Sequence, residues 1–285
     1  MGHGADSERR GPPQTRTFPV RKVSGGHPVP VLDVVVVEEP LEIRMAFWFK
    51  EARVTESIAV TMRTPGDEEE LAAGFLRSEG VVHRPDDIVE IRRLGAAELC
   101  NELQVELAPH VDVESWRLVR GTLLSSACGL CGKKTIESIP VAEEAPGDSL
   151  RVQADFIRRL PALLDEHQSV FRTTGGLHGA ALVSPGIGIE TAFEDIGRHN
   201  ALDKLIGHCF LRGMLPLAKS LFFMTSRGSF ELVQKTLAAG CPTLATIGAP
   251  SSLAIEFARS RGLTLIGFIR SDRFNIYSGE WRVDS

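Results

Sequence analysis

The first third of the chain contains apolar and β-branched runs bounded by turn signals, as β-strands do. The β-branched run within residues 29–38 suits a strand covered on both faces or the first strand of an edge hairpin. One amphipathic helix interrupts the strands, with acidic residues in its first turn. The predicted elements are strands over 29–38, 41–49, 53–62, 88–94 and 102–107 and a helix over 68–78.

The pattern changes near residue 155, where helices and strands begin to alternate. A helix is predicted from Asp155, and Pro161 within it predicts a late start or a kink. Strands that alternate with helices of about ten residues indicate right-handed crossovers and a largely parallel sheet with helices on both faces. The further predicted elements are a hairpin over 179–184 and 187–193, helices over 201–212, 230–239 and 252–260, and strands over 220–225, 243–247 and 264–269.

These patterns predict a mixed α/β fold with an uneven division of the chain. The C-terminal part is predicted to be a three-layer α/β/α sandwich, and the N-terminal part a smaller, β-rich α+β domain. Residues 1–19 contain few large apolar side chains, so a disordered tail is expected there. The predicted divisions are the tail, a small domain over 20–115, a cysteine loop and linker over 116–150, and an α/β domain over 151–285.

Composition narrows the classes of function. The chain has 285 residues, 43% of them hydrophobic and 24% charged, which is typical of a globular protein. Its formal net charge of -5 argues against non-specific binding of nucleic acid. Five cysteines, an odd number, do not form a disulfide framework, and no apolar run or signal peptide indicates a membrane or export. We therefore expect a cytoplasmic protein without nucleic-acid or membrane partners.

The most distinctive chemistry lies in a Cys-Gly-Leu-Cys motif. Cys128 and Cys131 stand two residues apart, each is followed by a glycine, and two lysines come after the second glycine. Positive charge near a thiol stabilises its thiolate, the nucleophilic form. Glycines remove side-chain bulk, so a partner's cysteine could approach closely. The motif predicts an accessible, reactive thiolate.

Other uses of such a pair stay open at this point. Half of a zinc site would need further ligands, but Cys100, Cys209 and Cys241 each stand alone. A thioredoxin-type pair should open a helix after a strand, whereas glycines surround this one. A zinc deaminase would carry a Pro-Cys-x-x-Cys motif and an upstream His-x-Glu, which this chain lacks. We expect no bound zinc and no other metal.

In the second half of the chain, the junctions next to the predicted strands are rich in polar and small residues. This composition indicates an anionic ligand. In α/β sheets the loops at the carboxyl ends of the strands bind ligands, and helix N-termini favour phosphate. Each junction taken alone could be a helix cap or a turn. His199 could be a structural histidine paired with Asp195, and Asp203 and Lys204 could form a solvated helix face. The junctions are residues 173–178, 194–200, 225–229 and 248–252.

Residues 271–277, after the final predicted strand, add a possible anion site. Arg270 and Arg273 bring two guanidinium groups to the carboxyl end of that strand. Arginine suits a phosphate or a guanine edge because its planar fork donates two parallel hydrogen bonds. The alternative is a pair of surface arginines that close the domain.

With these motifs, the chain resembles the formate dehydrogenase accessory sulfurtransferase family, FdhD/NarQ. The resemblance covers nearly everything after the N-terminal tail and shows no departure at a chemically important position. The motifs that carry it are Glu39–Leu41, Met62–Gly66, Gly74–Gly80, Cys128–Gly132, Glu194–Lys204, Ser226–Arg227 and Phe230–Lys235.

The resemblance implies a sulfurtransferase, a function that the residues alone did not reach. Members of the family take persulfide sulfur from a cysteine desulfurase and pass it to the bis(molybdopterin guanine dinucleotide) form of molybdenum cofactor, the bound substrate. The cofactor is then inserted into the formate dehydrogenase apoenzyme. By analogy Cys128 carries the persulfide and Cys131 assists relay or release. The implied cofactor-binding residues are His178, Asp195, Arg198, His199, Ser226, Arg227, Phe268, Ile269, Arg270, Ser271, Asp272 and Arg273.

The resemblance also implies a cytidine deaminase-like core without zinc. We expect a homodimer. Two functions of other classes stay open beside it. A thiol-disulfide oxidoreductase would need both cysteines equally and no nucleotide, and a non-catalytic cofactor-binding chaperone would need neither cysteine.

Overall fold

The computed structural model describes residues 13–95, 101–113, 147 and 149–285. It begins with an antiparallel hairpin of β1 (Thr15–Ser24) and β2 (His27–Val36). Most of β2 is exposed, so the prediction of a strand covered on both faces is wrong. The run does belong to a hairpin, but as its second strand and not its first. The tail prediction is wrong for residues 15–19, because cross-strand pairing orders the start of β1 despite its few large apolar residues.

A four-stranded sheet follows, in the order β4-β3-β6-β5. Helix α1 (Glu68–Ser78) contributes Leu71 and Leu76 to the core that these strands share. The predicted strands and helix of this region are confirmed, and the helical spacing of Leu71 and Leu76 marks the buried face of α1 correctly. The strands are β3 (Glu39–Phe49), β4 (Ala52–Arg63), β5 (Ile88–Leu94) and β6 (Glu102–Leu107).

The second half forms a six-stranded sheet in the order β13-β12-β11-β10-β8-β9. Only the β10–β11 and β11–β12 pairings are parallel, so the prediction of a largely parallel sheet is wrong for both flanks. Short connections turn the chain back between β8 and β9 and between β12 and β13, which makes these pairs antiparallel, and β8 is also antiparallel to β10. The strands are β8 (His178–Ser184), β9 (Gly188–Asp195), β10 (Leu221–Met224), β11 (Thr243–Thr246), β12 (Thr264–Gly267) and β13 (Asn275–Ser278).

Strand β13 lies within the stretch that was predicted to follow the last strand of the sheet. It pairs antiparallel with β12 and so adds an edge strand. Two smaller elements complete the sheet structure: β7 (Val152–Gln153) pairs in parallel with β14 (Val283–Asp284). Short 3₁₀ helices occur at Pro85–Asp87 and Glu280–Arg282.

Helices cover both faces of the large sheet. Helix α2 (Ala154–Asp165) packs on one face, followed in the chain by the short α3 (Ser169–Thr174). Helices α4 (Arg198–Leu211), α5 (Phe230–Ala238) and α6 (Ser252–Ser260) pack on the other face. Helix α2 begins at Ala154 and includes Pro161, so the predicted late start is wrong. The likeness to cytidine deaminases and the domain boundaries stay predictions.

Along the part of the chain that the structure describes, no helix is both long enough and apolar enough to cross a membrane.

Helices α1 and α4 cross at two glycines. A Cβ on Gly74 would lie 1.8 Å from the carbonyl oxygen of Asp203, and a Cβ on Gly207 would lie 1.8 Å from that of Glu70. Neither distance leaves room for a side chain, so only glycine permits this approach. Helix α1 packs against the small sheet and α4 packs against the large sheet, so the crossing joins the two. Phe210 of α4 accordingly packs in the core of the small sheet.

The α4 face that meets α1 is buried, which corrects the prediction of a solvated face. Asp203 is 3% exposed and Lys204 is fully buried. The Asp203 carboxylate accepts hydrogen bonds from Lys235 Nζ at 2.7 and 2.8 Å and from Ser78 Oγ at 2.9 Å. Burial is tolerated because these charges have partners. The sequence showed charged residues at helical spacing, but this spacing did not indicate that another helix would cover them.

We expect Gly207→Ala to lower the free energy of unfolding by about 3 kcal/mol, because the added methyl group pushes two helix backbones apart. Urea denaturation measures this change. Gly186→Ala is the control: its Cβ would meet open space, and its left-handed φ of 87° should cost only about 1 kcal/mol. Equal losses in the two variants would contradict the close crossing.

Candidate functional site

The polar junctions of the second half meet at one edge of the large sheet. Strands β9, β10, β11 and β12 run in one direction and end there, and β8 runs the other way and begins there. The prediction that these junctions share one edge is therefore confirmed. We call this edge the carboxyl rim and define it as residues 173–178, 194–200, 225–231, 248–252 and 268–273.

Backbone hydrogen bonds join the neighbouring loops of the rim. The Gly228 amide donates to Ala249 O at 3.1 Å, and the Ser251 amide donates to Gly228 O at 3.0 Å. The Phe268 amide donates to Gly248 O at 3.2 Å. A Cβ on Gly248 would lie 2.8 Å from the Cα of Arg227, so a glycine is needed where these loops touch. Backbone contacts of the chain itself therefore connect the loops of the rim.

Residues 268–273 form one wall of a cavity of about 270 Å³. Its lining residues are Phe268, Arg270, Arg273 and Asn275. The Phe268 backbone has a φ of 55°, an uncommon conformation for a residue with a side chain, and the residue is 41% exposed. The Arg270 guanidinium donates from Nη1 to Ile247 O at 3.0 Å and to Ile269 O at 2.7 Å. The cavity thus combines two cations with an aromatic face.

The other residues of this wall differ in their access to a ligand. Ile269 is fully buried, so its side chain supports the segment from beneath. Ser271 and Asp272 are exposed, and Asp272 forms an ion pair with Arg273 at 3.0 Å. Asn275 was not among the predicted site residues, and its position inside β13 explains why: the sequence showed neither that strand nor its neighbours.

Asp195 lies under the rim and does not face a ligand. Its side chain is fully buried and forms an ion pair with Lys204 Nζ at 2.9 Å. Its oxygens also accept hydrogen bonds from the amides of Gly197 at 2.8 Å and Thr64 at 3.2 Å, and from Asn200 Nδ2 at 3.1 Å. These contacts satisfy the carboxylate within the chain. Asp195 therefore positions the loop that leads into α4.

His178, Arg198 and His199 cluster where β8, β9 and α4 meet. Burial lowers the pKa of His178, and the positive charges of Arg198 and His199 lower it further. His178 is therefore neutral at physiological pH. The proposed pairing of His199 with Asp195 is wrong, because His199 Nε2 faces Glu231 Oε2 at 3.6 Å instead. Asp195 is already occupied by Lys204.

Glu231, in the first turn of α5, is a residue of this cluster that the sequence prediction missed. Burial opposes its ionisation, but contacts with His199, its own backbone amide and Ser229 outweigh burial and lower its pKa to about 2. Glu231 is thus an anion throughout the physiological range. An acidic residue in a first helical turn is ordinary, so the sequence offered no signal of this role.

Ser226 and Arg227 lie at the β10–α5 junction. Ser226 is buried, and its hydroxyl donates to Arg227 O at 3.1 Å, so it shapes the turn. The Arg227 side chain is exposed at the rim. On the next junction, Ser251 Oγ accepts from the Ala254 amide at 3.3 Å, which is the capping role considered above.

The predicted catalytic cysteines, Cys128 and Cys131, lie outside the described residues, as does Cys100. Cys209 and Cys241 are buried, and burial raises the pKa of each thiol to about 12. These two thiols are therefore poor nucleophiles at neutral pH. The expectation of no bound metal stays a prediction.

We expect Lys204→Met to lower the free energy of unfolding by about 3 kcal/mol, because it leaves the buried Asp195 carboxylate without its cation. Urea denaturation of the full chain measures the loss. The double variant Asp195→Asn/Lys204→Met should lose less than Lys204→Met alone, and the exposed Lys219→Met should match the wild type. A double variant that is less stable than Lys204→Met would contradict the pairing.

Comparison with known proteins shows which family and which relatives this chain resembles. Residues 36–284 match the model of the FdhD/NarQ family. A relative from Streptomyces coelicolor, named sulfur carrier protein FdhD, is 42% identical over 88% of this chain and 89% of its own length. A relative of the same name from Mycobacterium tuberculosis is 40% identical over 93% of this chain and 96% of its own length.

A solved structure shares the fold. The crystal structure of a candidate formate dehydrogenase accessory protein from Desulfotalea psychrophila superposes with a TM-score of 0.72. It covers 95% of this chain and 100% of its own, at 23% sequence identity. The family match over most of the chain, together with relatives near 40% identity, shows that this chain belongs to the FdhD/NarQ family.

Proposed function

We propose that this chain is a sulfur carrier that serves formate dehydrogenase. It accepts persulfide sulfur on Cys128 and transfers it to molybdenum cofactor bound at the carboxyl rim. The observation that carries the proposal is the cavity of Phe268, Arg270, Arg273 and Asn275 in a chain 42% identical to a named sulfur carrier. Acceptance and delivery of sulfur make the protein a sulfurtransferase.

The substrate proposed for the rim is the bis(molybdopterin guanine dinucleotide) form of the cofactor. Arg270 and Arg273 supply guanidinium forks suited to phosphate. Further along the same rim, Arg227 follows β10 and Arg198 begins α4 after β9. The exposed Phe268 ring offers a face on which a nucleobase stacks. These residue types support a ligand that carries several phosphates and a base.

The sulfur is proposed to come from the persulfide of a cysteine desulfurase. The Cys128 thiolate attacks the outer sulfur, the sulfur–sulfur bond of the donor breaks, and the donor leaves as a thiolate. Cys128 then carries the persulfide. The lysines after Cys131 favour the attacking thiolate, because nearby positive charge lowers the pKa of a thiol. Cys131 is close enough in sequence to assist relay or release.

The length of the chain allows the cysteines to reach the rim. Gly147 O accepts a hydrogen bond from Arg282 Nη2 at 3.3 Å, and Gly147 lies beside Ala218, just before β10 begins. This anchor is at the amino edge of the sheet, opposite the carboxyl rim. Cys131 precedes Gly147 by 16 residues, which extend to about 50 Å, whereas a four-residue strand spans about 14 Å.

We also propose a cellular compartment and partners for this protein. The protein acts in the cytoplasm as a homodimer, receives sulfur from a cysteine desulfurase and supplies the formate dehydrogenase apoenzyme with sulfurated cofactor. The odd number of cysteines supports a reducing compartment. The two other classes, oxidoreductase and non-catalytic chaperone, are separated from this one by the experiments below.

After incubation with a cysteine desulfurase and cysteine, we expect the intact mass to rise by about 32 Da and to return on reduction, as a persulfide requires. Cys128→Ala should abolish the gain. Cys209→Ala removes a buried thiol and should retain it. A gain that persists in Cys128→Ala would contradict this site, and activity without any gain would favour a chaperone.

We expect the full chain to bind guanosine diphosphate, a fragment of the proposed cofactor, in isothermal titration calorimetry. Arg273→Ala should weaken binding about tenfold, because it removes a charged hydrogen-bond donor. Arg261→Ala, which lies at the opposite edge of the sheet, is the matched control. Cys128→Ala should bind as the wild type does, and loss of binding there would show that the two roles are not separate.

A further inference from the structure

The N-terminal hairpin, formed by β1 and β2, exposes apolar side chains along most of its length. Residues 16–19, 21–24 and 27–33 are exposed, whereas residues 34–36, at the base of the hairpin, are half-buried. The exposed large apolar residues are Phe18, Val23, Val29, Val31 and Leu32. A two-stranded hairpin is at best marginally stable in water, so burial of these side chains would stabilise it.

Both faces of the hairpin are apolar. Opposite residues of an antiparallel pair lie on the same face, and successive residues of a strand alternate between faces. Leu32 pairs with Pro19 and Val23 pairs with Pro28, so these residues share one face. The large apolar residues of the other face are Phe18, Val29 and Val31. Exposed apolar surface of this extent indicates a contact with another molecule.

Prolines limit how another molecule can attach to the hairpin. Pro19 lies in β1, and Pro28 and Pro30 lie in β2. A proline within a paired strand occupies a position whose N–H would point away from the partner strand. The outer edges of the hairpin therefore lack amide donors at these positions, which disfavours the addition of a further strand. A partner is expected to contact the side-chain faces instead.

The hairpin and the rest of the chain carry opposite net charge. Residues 15–36 contain three basic residues and one acidic residue, a net charge of +2 with histidine neutral. The whole chain has a formal net charge of -5, so the residues outside the hairpin total -7. Opposite charge favours contact between the hairpin and the body of a second copy. The charged residues of the hairpin are Arg16, Arg21, Lys22 and Asp33.

The area of the hairpin also favours a second copy. Each strand has ten residues, so the hairpin is about 33 Å long and about 10 Å wide, and one face covers about 330 Å². One face and the surface beneath it bury about 660 Å² together, which is less than specific interfaces bury. Two hairpins exchanged by twofold symmetry bury about 1,300 Å², which is enough for a stable dimer.

We propose that the N-terminal hairpin is a dimerisation arm, which packs on the body of a second copy while the second copy's hairpin packs on the first. The inference names the contact surface of the homodimer and rests on that part of the proposed function. Sulfur transfer and cofactor binding are independent of it.

Sedimentation velocity of the full chain at micromolar concentration tests this contact. The wild type should be a dimer, and Leu32→Glu should raise its dissociation constant about a hundredfold, because symmetry places the unpaired charge in two contacts that each lose about tenfold. Ile187→Glu is the matched control, because Ile187 is 80% exposed in the turn between β8 and β9, outside the hairpin. This variant should remain a dimer.

A photoreactive phenylalanine analogue in place of Leu32 locates the contact without a charge. Irradiation should cross-link two copies of the chain, and the joined peptide of the second copy should lie outside residues 13–36. The same analogue in place of Ile187 should give no cross-linked dimer.

The outcomes separate this inference from the proposed function. A wild type that is monomeric would overturn the inference and the homodimer, whereas the persulfide mass test of Cys128 would be unaffected. A dimer that Leu32→Glu leaves unchanged would overturn the inference alone. Cross-links confined to the second copy's hairpin would also overturn it, because they would show two hairpins packed on each other.

Discussion

Helices α1 and α4 pass so closely at Gly74 and Gly207 that a Cβ on either would meet backbone atoms at 1.8 Å. This approach brings the end of β4 and the start of α1 against the side of α4. Two ion pairs made by α4, Asp203 with Lys235 and Lys204 with Asp195, are buried beside this contact, and Ser78 of α1 donates a hydrogen bond to Asp203 across it. The small sheet and the large sheet therefore depend on the same helix contact.

The contact also sets the position of the candidate site. The Thr64 amide, at the end of β4, donates to Asp195, and Lys204 Nζ donates to Thr64 O at 3.1 Å. These bonds hold the loop before α4, where Arg198 and His199 begin the helix. A polar network that is fully satisfied in the interior specifies one arrangement, because each alternative would leave a buried charge unpaired.

Backbone hydrogen bonds connect the loops of the carboxyl rim, whereas ion pairs connect the elements of the interior. At Gly228 and Gly248 adjacent loops come into contact, and backbone hydrogen bonds join these loops. The backbone that carries Arg227 and Phe268 is therefore fixed in position. A preformed site costs little conformational entropy when a ligand binds.

The sequence by itself determined most of the elements, the shared edge of the polar junctions and the cysteine motif. Period-two and helical patterns report which face of each element is buried, and the residues between strands report where loops gather. Residues 88–94, 102–107 and 252–260 were predicted with the observed bounds for this reason. The family resemblance, which rests on motifs such as Glu194–Lys204, was likewise visible in the sequence.

Only the tertiary structure decided which polar residues face a ligand. Asp195, Asp203 and Lys204 looked available in sequence, but the crossing of α1 and α4 buries them, and such a contact between distant segments leaves no local periodicity. Strand β13, the antiparallel flanks of the large sheet and the partner of His199 were decided in the same way. Each of these features depends on which segments become neighbours in space. Local sequence patterns indicate that a residue is buried, but they do not show which segment covers it.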